Sequence, residues 1–338
     1  RQLGERGLDT GGPMSRKSRR RDGPTGFLLV DKGAGLTSHD VVARLRKRFD
    51  TPAVGHAGTL DPDATGLLLI GVGKATRLLT FLVGLPKTYE AMIVFGASTS
   101  TQDAAGEVTG TFDMSGMTPD AVARAAREME GDSEQIPPMV SAVRIDGKRL
   151  HELAREGKEV ERPPRPIRVD RFDISLASGS EVGDQTWIGG VAPAVTAGSE
   201  DTPPMYCATV ECSSGTYVRT LAHDLGVALG GGAHLASLRR TRVGEYSVAD
   251  ALGWEAAPLR SAAEAVAHLD SLSPDADALA RVRHGQVLPR EVLGAAPDDP
   301  GPWAVHGLAD QSGTAPVVAI YVDHKGSTLK PEVVLVVE

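Results

Sequence analysis

Residues 67–72 read LLLIGV, an apolar run with no polar position to turn toward water. A half-exposed strand alternates apolar with polar residues, so this run fits a strand buried on both faces. Directly before it comes GHAGTLDPDATG, residues 55–66, a stretch of small residues and turn formers that also carries His56, Asp61 and Asp63. Pro62 fixes its own φ and restricts the backbone of Asp61 ahead of it. A carboxylate is therefore held rigidly, five residues after a histidine, just before a buried strand. Two readings stand side by side on physics alone. Asp-Pro and Asp-Ala-Thr-Gly are common turn formers; a carboxylate fixed by a stiff turn is also what a nucleophile or base requires.

The elements around this stretch do not alternate strand with helix, which disfavours a doubly wound sheet and gives an α+β class. GFLLVDK (26–32) reads as a short buried strand leading to a turn. TSHDVVARLRKRF reads as a helix capped by Thr37 or Ser38, with Val41, Val42, Leu45 and Phe49 on its apolar face. Arg44, Arg46, Lys47 and Arg48 form the other face, either solvated or in contact with RNA. KTYEAMIVFGAS reads as a strand, and TPDAVARAAREMEG as a helix with Thr118 as cap, Pro119 in the first position and Gly131 as stop. GKRLHELAREG is a shorter helix, and IRVDRFDISLAS a strand with a phase slip near Asp170, the mark of a bulge. MYCATVECSSG is a strand, and TYVRTLAHDLGVALG a helix burying Val218, Leu221, Ala222, Leu225 and Leu229.

A length of 338 residues favours two domains. Residues 1–25 read as a disordered basic tail whose RKSRRR run (16–21) suits phosphates; Met14 is a candidate natural start, which would make 1–13 a non-native remnant. Residues 26–275 are expected to form the catalytic domain, with 178–204, rich in Gly, Ser, Pro and Ala, as a flexible insertion. Residues 280–338 are expected to form a small β-rich domain, with VVAIYVDHKGSTLKPEVVLV as a hairpin.

Several chemistries are disfavoured. GVGKAT (71–76) lacks the first glycine of a phosphate-binding loop, where Leu68 stands, and has Ala75 in place of the metal-binding hydroxyl. No metal-ligand spacing surrounds His56, Asp61 and Asp63, and there is no hydrolase elbow. The two cysteines, Cys207 and Cys212, have an odd separation in one strand and so lie on opposite faces, which argues against their pairing and fits a reducing compartment. With no 18-residue apolar stretch and no secretion-type leader, a cytoplasmic protein without a membrane span is expected. The net charge of −8 argues against a uniformly basic nucleic-acid binder but leaves room for a basic groove.

GHAGTLDPDATGLLLIGVGKATRLL resembles the signature of the TruB family of tRNA pseudouridine synthases. GFLLVDKGAGLTSHDVV, KTYEAMIVFGASTSTQDAAGEV, QIPPMVSAVRIDGKRLHELAREG and SGTYVRTLAHDLGVALGGGAHLASLRRTRVG resemble its other motifs, in order, over most of residues 26–245. The resemblance implies a pseudouridine synthase fold: a mixed, largely antiparallel central sheet flanked by helices, followed by a small PUA-like RNA-binding domain. It implies isomerisation of uridine 55 in the T-loop of tRNA, with no cofactor and no metal, by a protein expected to be a monomer on the tRNA T-arm.

The family's catalytic aspartate falls on Asp61, as nucleophile toward the ribose or as base on a glycal route. Its basic partner falls on Arg219 and its stacking aromatic on Tyr89. His56 falls on the residue that takes the flipped base's place in the loop. Leu238 matches an apolar residue of the uracil pocket, Lys32 a loop-supporting lysine, and Asp103 an acidic residue near the site. Three departures affect substrate contacts and packing. They are Lys32-Gly33 for Lys-Pro, Val140-Ser141-Ala142-Val143-Arg144 for Tyr-Ser-Ala-Leu-Lys, and His151 where an aromatic is common. Competing readings are an RNA-remodelling protein without turnover, a guide-RNA-dependent relative, disfavoured by the KPEVVLVVE end, and a carboxylate hydrolase, which has no supporting motif.

Overall fold

A computed structural model describes residues 23–141, 143–145, 147–158, 160–178, 188, 204–309 and 315–335. The expected 1–25 tail and 178–204 insertion therefore lie almost wholly outside the described residues, as do Ala142 and the side chain of His151. The chain runs β1 (Gly26–Lys32), α1 (Ser38–Arg48), β2 (Val54–Ala57), β3 (Thr65–Val72), α2 (Thr80–Val83), β4 (Lys87–Phe95), β5 (Ala97–Thr99), β6 (Val108–Thr111), α3 (Pro119–Glu128) and β7 (Gly131–Gln135). A hairpin of β8 (Arg144–Ile145) and β9 (Lys148–Arg149) leads to α4 (Leu150–Arg155). Then come β10 (Arg165–Leu176), β11 (Met205–Cys212), α5 (Val218–Ala228), β12 (Ala233–Val243) and β13 (Tyr246–Ser247). Strands β14 (Asp270–Leu272), β15 (Leu288–Pro289), β16 (Trp303–His306), β17 (Val317–His324) and β18 (Thr328–Val334) complete it.

Among the described residues, nine strands form the main sheet in the order β1-β3-β12-β4-β11-β10-β7, with β2 added to β3 and β13 to β12. Within it only the β12–β3 pair is parallel; the mixed, largely antiparallel sheet is the one expected. β3 is buried along its whole length. Leu68, Ile70 and Val72 pack under α1, while Leu67 and Leu69 face Leu78, Leu79 and Leu82 on the other side. The phase slip near Asp170 is a register shift between Val169 and Arg171 in β10. Cys212 is buried in the core and Cys207 sits on the opposite face, and neither is in a disulfide.

Several strands were not expected, and two of them position the site. β2 covers the first part of the His56–Asp61 stretch, pairing Val54–Ala57 against Val72–Leu69. β12 is an interior strand, between β3 and β4, hidden in the sequence by register shifts at Leu235/Ser237 and Arg240/Arg242 that break its alternation. Both strands use the same edge of β3: β12 pairs at Thr65 and Gly66, and β2 takes over from Leu69. The Asp61 loop leaves at this fork.

The basic face of α1 is exposed, yet three of its four cations also make contacts within the protein. Arg46 donates to Val54 O at 3.1 Å, Arg48 to Trp254 O and Ala257 O at 2.8 Å each, and the Arg44 guanidinium lies 5.1 Å from the Trp254 ring centroid. Arg44 and Arg48 fasten the 254–257 segment to the helix, and Arg46 fastens β2. Thr37 is the cap, in a reciprocal capping box with Asp40.

The second sheet, β14-β16-β17-β18-β15, begins at Asp270, ahead of residue 280. It shares a core with the first: Ala304, Val317, Ile320, Val333 and Leu335 pack with Phe27, Leu29, Leu67 and Leu69. Arg77 adds a hydrogen bond to Val334 O at 2.7 Å. Among the described residues no helix is long and apolar enough to cross a membrane.

Gly66 marks the tightest point of the fork. Its φ is +102°, and a Cβ there would stand 2.3 Å from Arg240 O. Gly66→Ala is expected to lower the unfolding free energy by about 2–4 kcal/mol through backbone strain and overlap. Urea unfolding followed by circular dichroism checks this, and an unchanged midpoint would show that the fork tolerates widening.

Candidate active site

The cleft lies on the sheet face covered by α3 and α5, where Leu60, Tyr89, Val218 and Leu238 belong to one core cluster. It has a volume of about 250 Å³ and is walled by Leu60, Asp61, Tyr89, Arg219, Leu238 and Arg240, with Lys87 and the Ser214–Tyr217 turn completing it. A second hollow, bounded by Pro62, Asp63, Thr101, Asp103, Val140 and Ile188, shares Asp61, Arg219 and Leu238 with the first. The Asp61–Arg219 pair thus stands between two openings.

Arg219 and Asp61 meet side-on. Arg219 Nε lies 3.0 Å from Asp61 Oδ2, and Nη2 lies 3.4 Å from Oδ1. The arginine is 3% exposed and its remaining protons are also placed: Nη1 donates to Thr101 O at 3.0 Å and lies 3.4 Å from Asp103 Oδ2, and Nη2 donates to Val140 O at 2.9 Å. A planar fork with every direction filled cannot rotate away from the carboxylate. Crowding by protein pushes the Asp61 carboxyl up from its ordinary value; Arg219 pulls it down, Asp103 pushes it up and Lys32 pulls it down. Arg219 sits in the first turn of α5, whose N-cap Tyr217 has no side-chain cap of its own. The Gln135 side chain supplies one, donating to Tyr217 O at 3.1 Å and accepting from Tyr217 N at 2.8 Å.

The Asp61 loop is gripped by its backbone. Lys32, 1% exposed, donates from Nζ to Pro62 O at 2.8 Å, Leu36 O at 2.7 Å and Gly33 O at 3.1 Å. Arg240, also 1% exposed, donates to Gly58 O at 3.1 Å, Thr59 O at 3.4 Å and Leu67 O at 2.8 Å. Ser38 Oγ accepts from Leu60 N at 2.9 Å and donates to Leu60 O at 3.3 Å. Burial lowers the Lys32 pKa to about 8, an effect that Asp63 and Asp61 oppose.

Of the residues singled out in the sequence, Asp61, Arg219, Tyr89 and Leu238 line one cleft. Asp103 joins through Arg219, anchored by Thr101 Oγ1 at 2.6 Å and Ala105 N at 3.1 Å. Burial raises the Tyr89 pKa, so its phenol stays protonated. Lys32 lies behind the loop. His56 is outside the cleft lining, on β2, with its ring 5.5 Å from that of His39 in an edge-to-face pair. Lys87, Arg240, Gln135 and Ile188 were missed. Lys87 was legible by parity, since it precedes Tyr89 by two residues on β4; Arg240 follows Leu238 by two, but on a strand that the sequence did not show.

Residues 46–218 match the TruB family pseudouridylate synthase N-terminal domain, and residues 219–273 the tRNA pseudouridylate synthase B C-terminal domain. The chain is similar to tRNA pseudouridine synthase B of Mycobacterium avium (strain 104), 46% identical over 68% of this chain and 68% of that one. It is also similar to the protein of the same name from Rhodococcus jostii (strain RHA1), 49% identical over 66% and 67%. Among solved structures it resembles a chain of an H/ACA ribonucleoprotein bound to a substrate RNA containing 2′-deoxyuridine, with a TM-score of 0.63, 22% identity, and 92% and 85% coverage. A chain of a Cbf5-Nop10-Gar1 complex gives a TM-score of 0.62, 24% identity, and 91% and 84% coverage. At these identities the likeness to the solved structures is one of fold, and it extends through the C-terminal sheet.

The His56 imidazole has a buried Nδ1 without a partner among the described residues, and burial first, then His39 and Arg240, lower its pKa to about 4. Its folded value lies below its unfolded one, so stability is complete above about pH 6.5 and is lost as pH falls toward 4, by up to ~3 kcal/mol. The urea midpoint of the natural protein is expected to drop more steeply over that interval than that of His56→Gln. Parallel curves would show that His56 carries no such linkage.

Proposed function

The chain belongs to the TruB family of pseudouridylate synthases, and on that footing we propose that it converts uridine 55 in the T-loop of tRNA to pseudouridine. The observation that carries the reading is the Asp61–Arg219 pair, a carboxylate locked at 3.0 Å to a buried fork on the wall of a cleft of about 250 Å³. The Tyr89 ring and Leu238 line the same cleft and offer a flat and an apolar surface for a pyrimidine.

A base tucked into a folded loop has to be swung out to reach such a cleft. Once there, its ribose presents C1′ to Asp61. The ionised carboxylate then serves either as nucleophile at C1′ or as base on a glycal route, while Arg219 keeps it charged and aimed. In both routes the bond from C1′ to N1 parts, the uracil turns, and C5 joins C1′ with loss of its proton to water. His56, neutral at physiological pH and one strand away, is suited to fill the space the base leaves in the RNA loop. The C-terminal sheet, PUA-like by resemblance, is suited to hold the acceptor-stem side through phosphates.

Unmodified tRNA transcript with tritium at C5 of uridine tests this. The natural protein is expected to release the label to water, and Asp61→Asn, shown to fold and to bind tRNA, is expected to release none above background. Tight binding by both with release by neither would overturn the synthase reading for this substrate in favour of RNA remodelling without turnover.

A further inference from the structure

Lys87 is buried, 6% exposed, yet it lines the cleft. An ammonium has three protons to donate. Two go to Val83 O at 2.7 Å and Leu85 O at 2.6 Å, and the third has no acceptor among the described residues. Among those residues no carboxylate is paired with it. The charged and titratable groups that bear on it are Arg240 from β12, which repels it, and the Cys212 thiol from β11. Burial holds its pKa down at about 8. A desolvated cation without a counter-charge is costly, and one kept beside a cleft points to an anionic or carbonyl-rich visitor.

Its position says which part of a visitor it meets. Lys87 and Tyr89 are two residues apart on one face of β4, about 7 Å along the strand. Arg240, which holds the Asp61 loop at Gly58 and Thr59, is the cross-strand partner of Tyr89, whereas Lys87 lies opposite Val243, further along the strand, so the order from the loop is Tyr89, then Lys87. A pyrimidine lying on Tyr89 with its ribose at Asp61 therefore directs its far edge toward Lys87.

We propose that Lys87 is a further substrate-binding residue, whose free N–H donates to a carbonyl oxygen of the uracil and stabilises the charge that the base acquires as it leaves the ribose. The inference rests on the uridine-isomerising reading above. When the bond from C1′ to N1 breaks, its electron pair goes to the base and spreads over N1 and the carbonyl oxygens. The ammonium faces that charge without giving up a proton. The charge is discharged when C5 bonds to C1′; the C5 proton then passes to water and N1 takes up a proton. The role holds on either route, since both break the same bond.

Single-turnover tritium release by the natural protein and by Lys87→Gln tests the proposal, with circular dichroism and tRNA binding as controls. Lys87→Gln is expected to bind tRNA within about threefold and to react about 100-fold more slowly, as for loss of a charge-stabilising donor. A second substrate set carries sulfur in place of one or the other carbonyl oxygen of the target uracil, because sulfur accepts a hydrogen bond poorly. At one of the two positions sulfur is expected to slow the natural protein roughly tenfold and to leave Lys87→Gln nearly unchanged. A lysine that only fastens the Val83–Leu85 turn would leave the sulfur effects equal in both proteins at both positions, and that result would overturn the proposal. If the natural protein itself released no tritium, the underlying isomerase reading would fall, and this inference with it.

Discussion

The Asp61 loop is held by its carbonyls. From Gly58 to Pro62, each residue except Asp61 has a backbone atom fixed by a side chain from another element: Arg240 at Gly58 and Thr59, Ser38 at Leu60, Lys32 at Pro62. Lys32 and Arg240 are almost completely buried, and a buried cation is tolerable only when its protons find acceptors. The loop's carbonyls are those acceptors. Neither partner would hold its conformation without the other, and what remains free to face the cleft is the Asp61 side chain.

That arrangement also sets the field in the cleft. Lys32, Lys87, Arg219 and Arg240 are buried around Asp61, Asp63 and Asp103, so cations outnumber carboxylates locally in a chain whose net charge is −8. A polyanion approaching such a surface is drawn to the concave positive region rather than to the body of the protein. Arg219 serves the site in two ways. It stabilises the charged form of Asp61 and, through Thr101 O and Val140 O, ties together loops far apart in sequence. Because Val140 contributes its carbonyl, the departure from tyrosine at this position leaves that contact intact.

Much of the fold was legible because periodicity and caps agree with the tertiary outcome. The apolar run of β3, the Thr118 and Thr37 caps, the bulge near Asp170 and the final hairpin all follow from local chemistry. β12 was not legible because its two register shifts remove the alternation that identifies a strand. The fate of the α1 arginines was hidden for a different reason. A charged helix face looks the same whether it meets only solvent or RNA or also, as Arg48 does, the carbonyls of residues 254 and 257. At the site, Asp61 stood out through its proline-bounded turn, but by itself that turn was equally a plain loop. Arg219 and Tyr89 carried no local signal beyond residue type; only the resemblance singled them out. Arg240 and Gln135 act on backbone atoms of distant residues, which no local pattern encodes.

The shared core between the two sheets bears on how this protein can vary over generations. Val317, Ile320 and Val333 belong to the same core cluster as Leu67 and Leu69, and Leu69 pairs with Ala57 at the end of the strand that delivers the Asp61 loop. A substitution that shrinks or enlarges a side chain in the C-terminal sheet therefore disturbs the core that β2 and β3 share. The two halves are not independent modules to be exchanged freely among relatives: a recombinant joining one ancestor's N-terminal sheet to another's C-terminal sheet inherits a mismatched seam in the core that also holds the base of the Asp61 loop's strand.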